Sequence, residues 1–260
     1  MKKRFFSFGC SFTKAWENPT WADFIGIEFE NLYNFAMPGS SNNLIMQRFV
    51  EADSHYKFNK ETDVIMIAIS GLGRYSFPVT IGDEDFFYSR GDLDVSQSSA
   101  KDTKEVSENF EFVRTKFWKK RFSVFDSYIS LKVMKDILSA RNIEHRILAA
   151  IDYKIYLDNA QVFGIGDELL SKIEEMVGML DVKESISEFD NFKLHHPSQQ
   201  THYDFVKKHL PQFLGAASEK LLNINFNEKY YDYILKIHPD YQGLGTYDGS
   251  GRKTYCLGYF

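Results

Sequence analysis

Hydrophobic positions along the chain form short continuous runs, separated by segments in which apolar residues are spaced. A continuous apolar run is typical of a strand in a parallel sheet whose two faces are both covered. The clearest run is VIMIAIS at 64–70, bounded by Asp63 and Gly71. The predicted strands are 4–8, 31–35, 64–70, 146–151 and a last short strand at 181–186.

Apolar residues spaced by three and four positions predict helices between these strands. The predicted helices are 21–30, about 41–52, 122–140, 168–180 and 201–210. Strands that alternate with helices indicate right-handed crossovers and an open parallel sheet. The expected fold class is therefore α/β, as a three-layer α/β/α sandwich around a mostly parallel five-stranded sheet.

Two stretches do not follow this alternation. Residues from about 75 to 118 have mixed charges and little periodicity, which predicts a long insertion and a candidate lid. Residues 216–260 form a C-terminal extension that becomes rich in tyrosine and glycine. We expect an α/β domain over 1–215, and an extension that packs as an arm or makes an oligomer contact.

The composition of the chain limits the classes of function that we expect. The 260 residues have a net charge of −5, which does not fit a general nucleic-acid-binding surface. The basic segment at 114–121 is more typical of a solvated helix face. Two cysteines, Cys10 and Cys256, are too few for a disulfide framework and favour the cytoplasm. No apolar run approaches the roughly 18 residues that span a bilayer, so no membrane partner is expected.

Candidate chemistry lies where the strands end, because ligands bind at the carboxyl ends of an open parallel sheet. Small residues follow each of the first three predicted strands, at 9–11, 38–40 and 70–73. A serine nucleophile needs a base and backbone donors for the oxyanion. Ser11 is the candidate nucleophile, and Gly39 offers an amide that no side chain blocks. The turn from Ser70 to Arg74 offers further donors, and histidines cluster late in the chain at 195, 196 and 202.

Three of these segments resemble the blocks of SGNH/GDSL-type hydrolases, in family order. They are GCS at 9–11, NFAMPGSSNN at 34–43 and HHP at 195–197, and similar short segments occur in divergent bacteriophage-like members. The resemblance implies a flavodoxin-like SGNH fold, with Ser11 as nucleophile and His196 as general base. It also implies an oxyanion hole built from the Ser11 and Gly39 amides, an acyl-ester substrate such as an O-acetylated carbohydrate, and no metal or organic cofactor. If phage-encoded, the protein is expected in the host cytoplasm.

The chain departs from the family pattern at two places. The acid that precedes the histidine by three residues is replaced by Lys193, so we expect Asp190 or Glu188 to substitute, or a Ser–His dyad supported by a backbone carbonyl. The third block lacks its asparagine, since residues 71–74 are GLGR. Arg74 is a candidate for binding an anionic substrate group or replacing that donor, and Asn42 or Asn43 for reaching the site.

Each assignment also has a simpler structural alternative. Ser11 could simply cap a helix, and Cys10 could be the nucleophile, although a cysteine at a strand end more often packs. Arg74 could pair with an acidic residue of the insertion. His195 and His196 do not suggest a metal pair, because adjacent side chains diverge, and His202 is more typical of a structural role. The alternative function is a non-catalytic SGNH-fold binding protein, and a third is acyl transfer to an acceptor other than water.

Overall fold

The structure of the protein is a computed structural model. It describes residues 3–14, 18–37, 39–81, 84–90, 120–158, 160–163, 165–189 and 197–224. The strands are β1 (Arg4–Phe8), β2 (Asn31–Asn34), β3 (Asp63–Ile69), β4 (Tyr75–Ile81), β5 (Glu84–Arg90) and β6 (Glu144–Ala149). The helices are α1 (Trp21–Gly26), α2 (Asn42–Tyr56), α3 (Lys120–Ala140), α4 (Lys154–Asp158), α5 (Ala160–Phe163), α6 (Asp167–Met179), α7 (Ile186–Phe189), α8 (Gln199–His209) and α9 (Ala216–Leu222), with a 3-10 turn at Pro211–Phe213.

The main sheet is parallel and has four strands in the order β2–β1–β3–β6. Strand β1 lies between β2 and β3, with Phe5 paired to Leu32 on one side and to Val64 on the other. The chain therefore builds the sheet outward in both directions from β1. The ligand site of such a sheet lies where the direction reverses, between β1 and β3.

The predicted fifth strand at 181–186 is wrong. The Asp181 amide donates to the Ile147 carbonyl at 2.9 Å, as a neighbouring strand would. The Asp181 carboxylate, however, accepts the Ile147 amide at 2.7 Å, in the place of a strand carbonyl. No ladder continues from this contact, and Ile186 already begins α7. The mostly parallel sheet is confirmed with four strands in the described part of the chain.

Successive residues of a strand point to opposite faces of the sheet. Both faces are therefore apolar here, and helices cover both of them. Phe6, Phe8 and Ile65 face one core, which α2, α3 and α6 complete. Phe5, Val64 and Met66 face the second core, which contains residues of α1, α8 and α9. The prediction of an α/β protein is confirmed, and the helices on either side of the sheet account for the continuous apolar runs.

Strands β4 and β5 pair as an antiparallel hairpin within the predicted insertion, with Tyr75 opposite Arg90 and Ile81 opposite Glu84. The Ser76 hydroxyl accepts a hydrogen bond from the Ser41 amide at 3.1 Å. The base of the hairpin is therefore attached at the start of α2. The rest of the predicted insertion, 91–118, lies outside the described residues.

The core extends past the predicted domain boundary at 215. In α9, Leu221 is buried, and the Ser218 hydroxyl donates to the Phe24 carbonyl of α1 at 2.7 Å. Residues 225–260, which hold the Tyr- and Gly-rich part of the extension, lie outside the described residues. Within the described ranges, no helix combines the length and hydropathy that crossing a membrane requires.

Candidate functional site

The first turn of the site follows β1 directly. The amides of Thr13 and Lys14 both donate to the Cys10 carbonyl, at 2.9 and 3.1 Å, so residues 10–14 form a single helical turn. Gly9 is needed at its start, because a Cβ there would collide with the Thr13 side chain and lie 3.1 Å from the Ala68 carbonyl oxygen. This close packing brings the turn directly against the neighbouring strand β3.

Ser11 lies in this turn and is half-buried. Its hydroxyl has no hydrogen-bond partner in the part of the chain that the structure describes. The turn itself is fixed from behind, because the Thr13 carbonyl accepts from Thr20 Oγ1 at 2.9 Å and from Asn34 Nδ2 at 2.8 Å. The described contacts therefore leave the Ser11 hydroxyl partly exposed on a fixed turn.

The second turn follows β2 and runs alongside the first. The Phe35 amide donates to the Ser7 carbonyl at 2.9 Å, and the Met37 amide donates to the Gly9 carbonyl at 3.1 Å. The Ser40 amide then donates back to the Met37 carbonyl at 3.2 Å, and Gly39 has φ 78°, as in a type II turn. The Gly39 amide has no partner among the described residues. Its place in the turn leaves it available as a donor next to the Ser11 turn.

The third turn begins at Ser70, at the end of β3. Phe8, the last residue of β1, pairs with Ile67 near the end of β3, so the turns that hold Ser11 and Ser70 follow two neighbouring strands. Asn42 binds both backbone groups of Ser70: its Oδ1 accepts the Ser70 amide at 2.7 Å, and its Nδ2 donates to the Ser70 carbonyl at 3.1 Å. The Tyr153 hydroxyl also donates to that carbonyl, at 2.5 Å. The third turn is therefore held in place from α2 and from the end of β6.

These contacts give Asn42 a different role from the predicted one. Its Nδ2 also donates to Ser127 Oγ at 3.0 Å, so both of its N–H donors are used inside the protein. Asn42 thus positions Ser70 and has no donor left for an oxyanion. Asn43 accepts from Gln47 Nε2 at 2.7 Å along α2. Asn42 therefore does not replace the missing donor of the third block in this arrangement.

Ser70 and Arg74 each hold a buried polar atom that has no partner in the described part of the chain. Ser70 is fully buried, and its Oγ has no hydrogen bond among the described residues. The Arg74 amide closes the turn onto the Gly71 carbonyl at 3.3 Å. Arg74 Nη1 is buried without a partner, and Arg74 forms no ion pair with any residue the structure describes. The predicted pairing of Arg74 with an acidic side chain is not observed there.

The pKa values of Tyr153 and Lys14 are shifted by burial and by groups on neighbouring segments. Burial raises the pKa of the Tyr153 hydroxyl well above its ordinary value, the Cys10 thiol acts in the same direction, and the Arg74 guanidinium opposes them. Burial lowers the pKa of Lys14 to about 8; Asp23 opposes this shift, and Arg48 adds to it. Cys10 is fully buried at the end of β1, which fits packing and leaves its thiol unexposed.

The predicted base and acid, His196 and Asp190, lie outside the described residues, as do Lys193 and His195. His202 is buried on α8, within the part of the chain that packs on the sheet. Glu188, the alternative acid, accepts from the Ser185 amide at 2.8 Å and lies 3.4 Å from Lys154 Nζ. These contacts already engage the Glu188 carboxylate.

Sequence reasoning missed three contributors: Tyr153, Ser127 and Lys14. The sequence position of Tyr153 could have revealed it, because a polar aromatic residue four positions after a buried strand lies at the carboxyl edge of the sheet. Among the described residues, no group of three or more His, Cys, Asp or Glu side chains could hold a metal ion. The site therefore consists of a serine, unpaired backbone and side-chain donors, and nearby cations.

The fold and these turns define an α/β protein with a parallel sheet and a polar site at its carboxyl edge. Comparison with known proteins finds no family whose model matches this sequence, and no curated protein that matches it significantly.

Proposed function

We propose that this protein is an SGNH-type serine esterase or deacetylase of the cytoplasm, which hydrolyses an acyl ester such as an O-acetyl group on a carbohydrate. One observation supports this most strongly. The half-exposed Ser11 hydroxyl has no hydrogen bond to the described protein, and its turn follows β1, whose neighbours β2 and β3 lead into the Gly39 and Ser70 turns. This arrangement matches the requirements of a nucleophile flanked by oxyanion donors.

In the proposed reaction, Ser11 Oγ bonds to the carbonyl carbon of the ester while His196 accepts the hydroxyl proton. The amides of Ser11 and Gly39 donate to the oxyanion that forms. The bond from the carbonyl carbon to the alcohol oxygen then breaks, and His196 donates its proton to that oxygen. A water molecule, deprotonated by His196, attacks the acyl group on Ser11, which releases the acid and restores the serine.

Asp190 is the proposed acid that orients His196, since a carboxylate stabilises the imidazolium formed in each step. A lysine at position 193 cannot do this. Glu188 is the second choice because its carboxylate already accepts the Ser185 amide and lies near Lys154. In the proposal, Ser70 and Arg74 bind the substrate beside Ser11.

Hydrolysis of 4-nitrophenyl acetate by the purified full chain tests the proposal. The Ser11→Ala variant should lose at least about 100-fold in kcat, because the nucleophile is removed. Ser139→Ala is the matched control, since Ser139 is an exposed serine in the last turn of α3 and should leave kcat unchanged. Equal turnover by wild type and Ser11→Ala, with both folded, would exclude Ser11 from the reaction.

A non-catalytic binding protein is the second candidate, and the use of both Asn42 donors within the protein favours it. Loss of one oxyanion donor costs about 2.7–4 kcal/mol of transition-state stabilisation in enzymes where it has been measured. Under this alternative, the wild-type protein turns over no ester, and Ser11→Ala binds the same ligands as the wild type.

A further inference from the structure

Arg74, in the turn that follows β3, is a cation with no counter-ion among the described residues. Buried polar and charged groups in proteins are normally paired, because an unpaired one loses its hydration without compensation. Arg74 Nη1 is buried and has no hydrogen bond, and the guanidinium makes no ion pair with any described residue. Tyr153 lies close enough for the Arg74 charge to act on its pKa, which places the guanidinium near the Ser70 turn.

Ser70 Oγ is a second unpaired group on the same turn. Ser70 is fully buried, and its backbone is fixed by Asn42 and Tyr153. The position of its hydroxyl is therefore fixed, and the hydroxyl has no hydrogen bond to any described residue. The Ser70 turn and the Ser11 turn follow neighbouring strands of the sheet, β3 and β1. An oxygen acceptor bound here would satisfy a hydroxyl donor and a guanidinium together.

Two further cations, Lys14 and Arg48, lie near each other by the first two turns, with the Asp23 carboxylate also close to Lys14. Lys14 belongs to the same helical turn as Ser11, three residues later. The Arg48 guanidinium lies near enough to lower the pKa of Lys14, and Arg48 Nη2 lies 3.5 Å from the Met37 sulfur in the segment that leads to Gly39. Since the whole chain has a net charge of −5, these cations are not a result of general basicity.

The acidic groups at this edge are already engaged. The Asp23 carboxylate accepts from the Thr20 amide and hydroxyl, both at 2.8 Å. Asp152 accepts from the Lys154 amide at 2.8 Å, and Glu188 pairs with Lys154 Nζ at 3.4 Å. Arg74 therefore keeps an unmatched charge within the described structure.

We propose that the substrate is anionic, and that Arg74, with Ser70 Oγ, binds a carboxylate or phosphate group located next to the ester that Ser11 attacks. The inference rests on the proposed function in taking Ser11 as the reacting residue. A guanidinium suits this role because it donates two parallel hydrogen bonds to carboxylate or phosphate oxygens.

Two acetyl esters of the same shape test the charge requirement: 4-acetoxybenzoate, which is anionic, and methyl 4-acetoxybenzoate, which is neutral. 4-Acetoxyphenyl phosphate provides the phosphate case. Binding is measured by titration calorimetry in full-length Ser11→Ala protein, so that no turnover interferes. The same ligands are titrated into Ser11→Ala combined with Arg74→Gln, with Arg74→Lys, or with Arg146→Gln. Arg146 is the matched control, a half-buried arginine in the middle of β6 that donates to the His145 carbonyl.

The expected result is that an anionic ester binds about tenfold or more tightly than the neutral ester, as a charge-assisted hydrogen bond would give. Arg74→Gln should remove this preference, Arg74→Lys should keep part of it, and Arg146→Gln should keep all of it. Equal affinity for charged and neutral esters, a preference that survives Arg74→Gln, or no binding of any of the three at millimolar concentration would overturn the inference.

Hydrolysis by the protein with Ser11 intact separates the two proposals. Turnover of the neutral and anionic esters without any difference in binding would retain the esterase and reject the anion subsite. Preferential binding of an anionic ester, without turnover of either ester, would retain the subsite and reject the esterase.

Discussion

The side-chain amide of Asn42 hydrogen-bonds both the amide and the carbonyl of Ser70, 28 residues away in the sequence. The first residue of α2 thereby continues the hydrogen bonding of β3 beyond the end of the sheet. Because Ser70 follows β3 and Ser11 follows the neighbouring strand β1, this contact fixes one of the turns of the candidate site. The stability of the third turn should therefore depend on this one side chain.

Replacing Asn42 with alanine should lower the free energy of unfolding by about 2–3 kcal/mol, since it leaves the buried Ser70 amide without a partner and removes the contact to Ser127. Urea denaturation measures this change. Asn43→Ala is the control, because Asn43 bonds only to Gln47 along the surface of α2 and its loss should cost under about 0.5 kcal/mol. Equal losses in the two variants would mean that the Asn42 contacts do not support the turn.

Gly9→Ala should destabilise the protein by about 1–3 kcal/mol, because the added Cβ has no room between Thr13 and the Ala68 carbonyl. The comparison is with Gly178→Ala in α6, where an added Cβ meets no atom within 4 Å. That variant should gain about 0.5–1 kcal/mol from helix propensity. Thermal and urea unfolding of both variants give the result, and a Gly9→Ala protein as stable as the wild type would contradict the tight first turn.

Lys14→Met should be more stable than the wild type at neutral pH, because burial opposes the charge on Lys14. The folded pKa of about 8 lies below the ordinary value of 10.5. Between these values the unfolded chain binds more protons than the folded one, so wild-type stability gains from this group as the pH rises. The advantage of Lys14→Met should therefore be full below pH 8 and shrink toward pH 10.

Urea denaturation of both proteins across this pH range measures the difference. Lys207→Met, at an exposed position of α8, controls for the loss of a surface lysine. An advantage of Lys14→Met that does not change with pH would show that the lysine is not buried in charged form.

Asp181→Ala should speed hydrogen exchange at the Ile147 amide and cost about 1–2 kcal/mol, because that amide loses its acceptor. Asp136→Ala, an exposed acidic position on α3, is the comparison. Unchanged exchange at Ile147 would mean that the Asp181 carboxylate does not take the place of a strand carbonyl.

The sheet was largely predictable because its strands are covered on both faces. The run at 64–70 matches β3 within one residue at either end, and β1 matches fully. The predicted strand at 181–186 failed for a physical reason. Leu180, Val182 and Ile186 are buried as a strand pattern suggests, but the Asp181 side chain uses the hydrogen bond that would extend the sheet.

The hairpin within 75–90 was not predicted, although the sequence contains a signal. Ile81 and Glu84 pair across two residues, Gly82 and Asp83, and a glycine-first dipeptide is typical of a two-residue hairpin loop. The role of Asn42 had no comparable signal. The spacing of apolar residues predicts that a helix begins near Asn42. It does not predict the partners of Asn42, because Ser70, Ser127 and Tyr153 come from three distant segments.

The central claim is that Ser11 is a reactive nucleophile, and covalent labelling tests it most directly. The folded wild-type protein is treated with a fluorophosphonate probe, and the modified residue is located by mass spectrometry of its peptides. The account predicts a single phosphonylated serine at Ser11, with labelling lost in Ser11→Ala and kept in Ser139→Ala. Absence of labelling at Ser11 in the folded protein, or labelling that persists in Ser11→Ala, would contradict it.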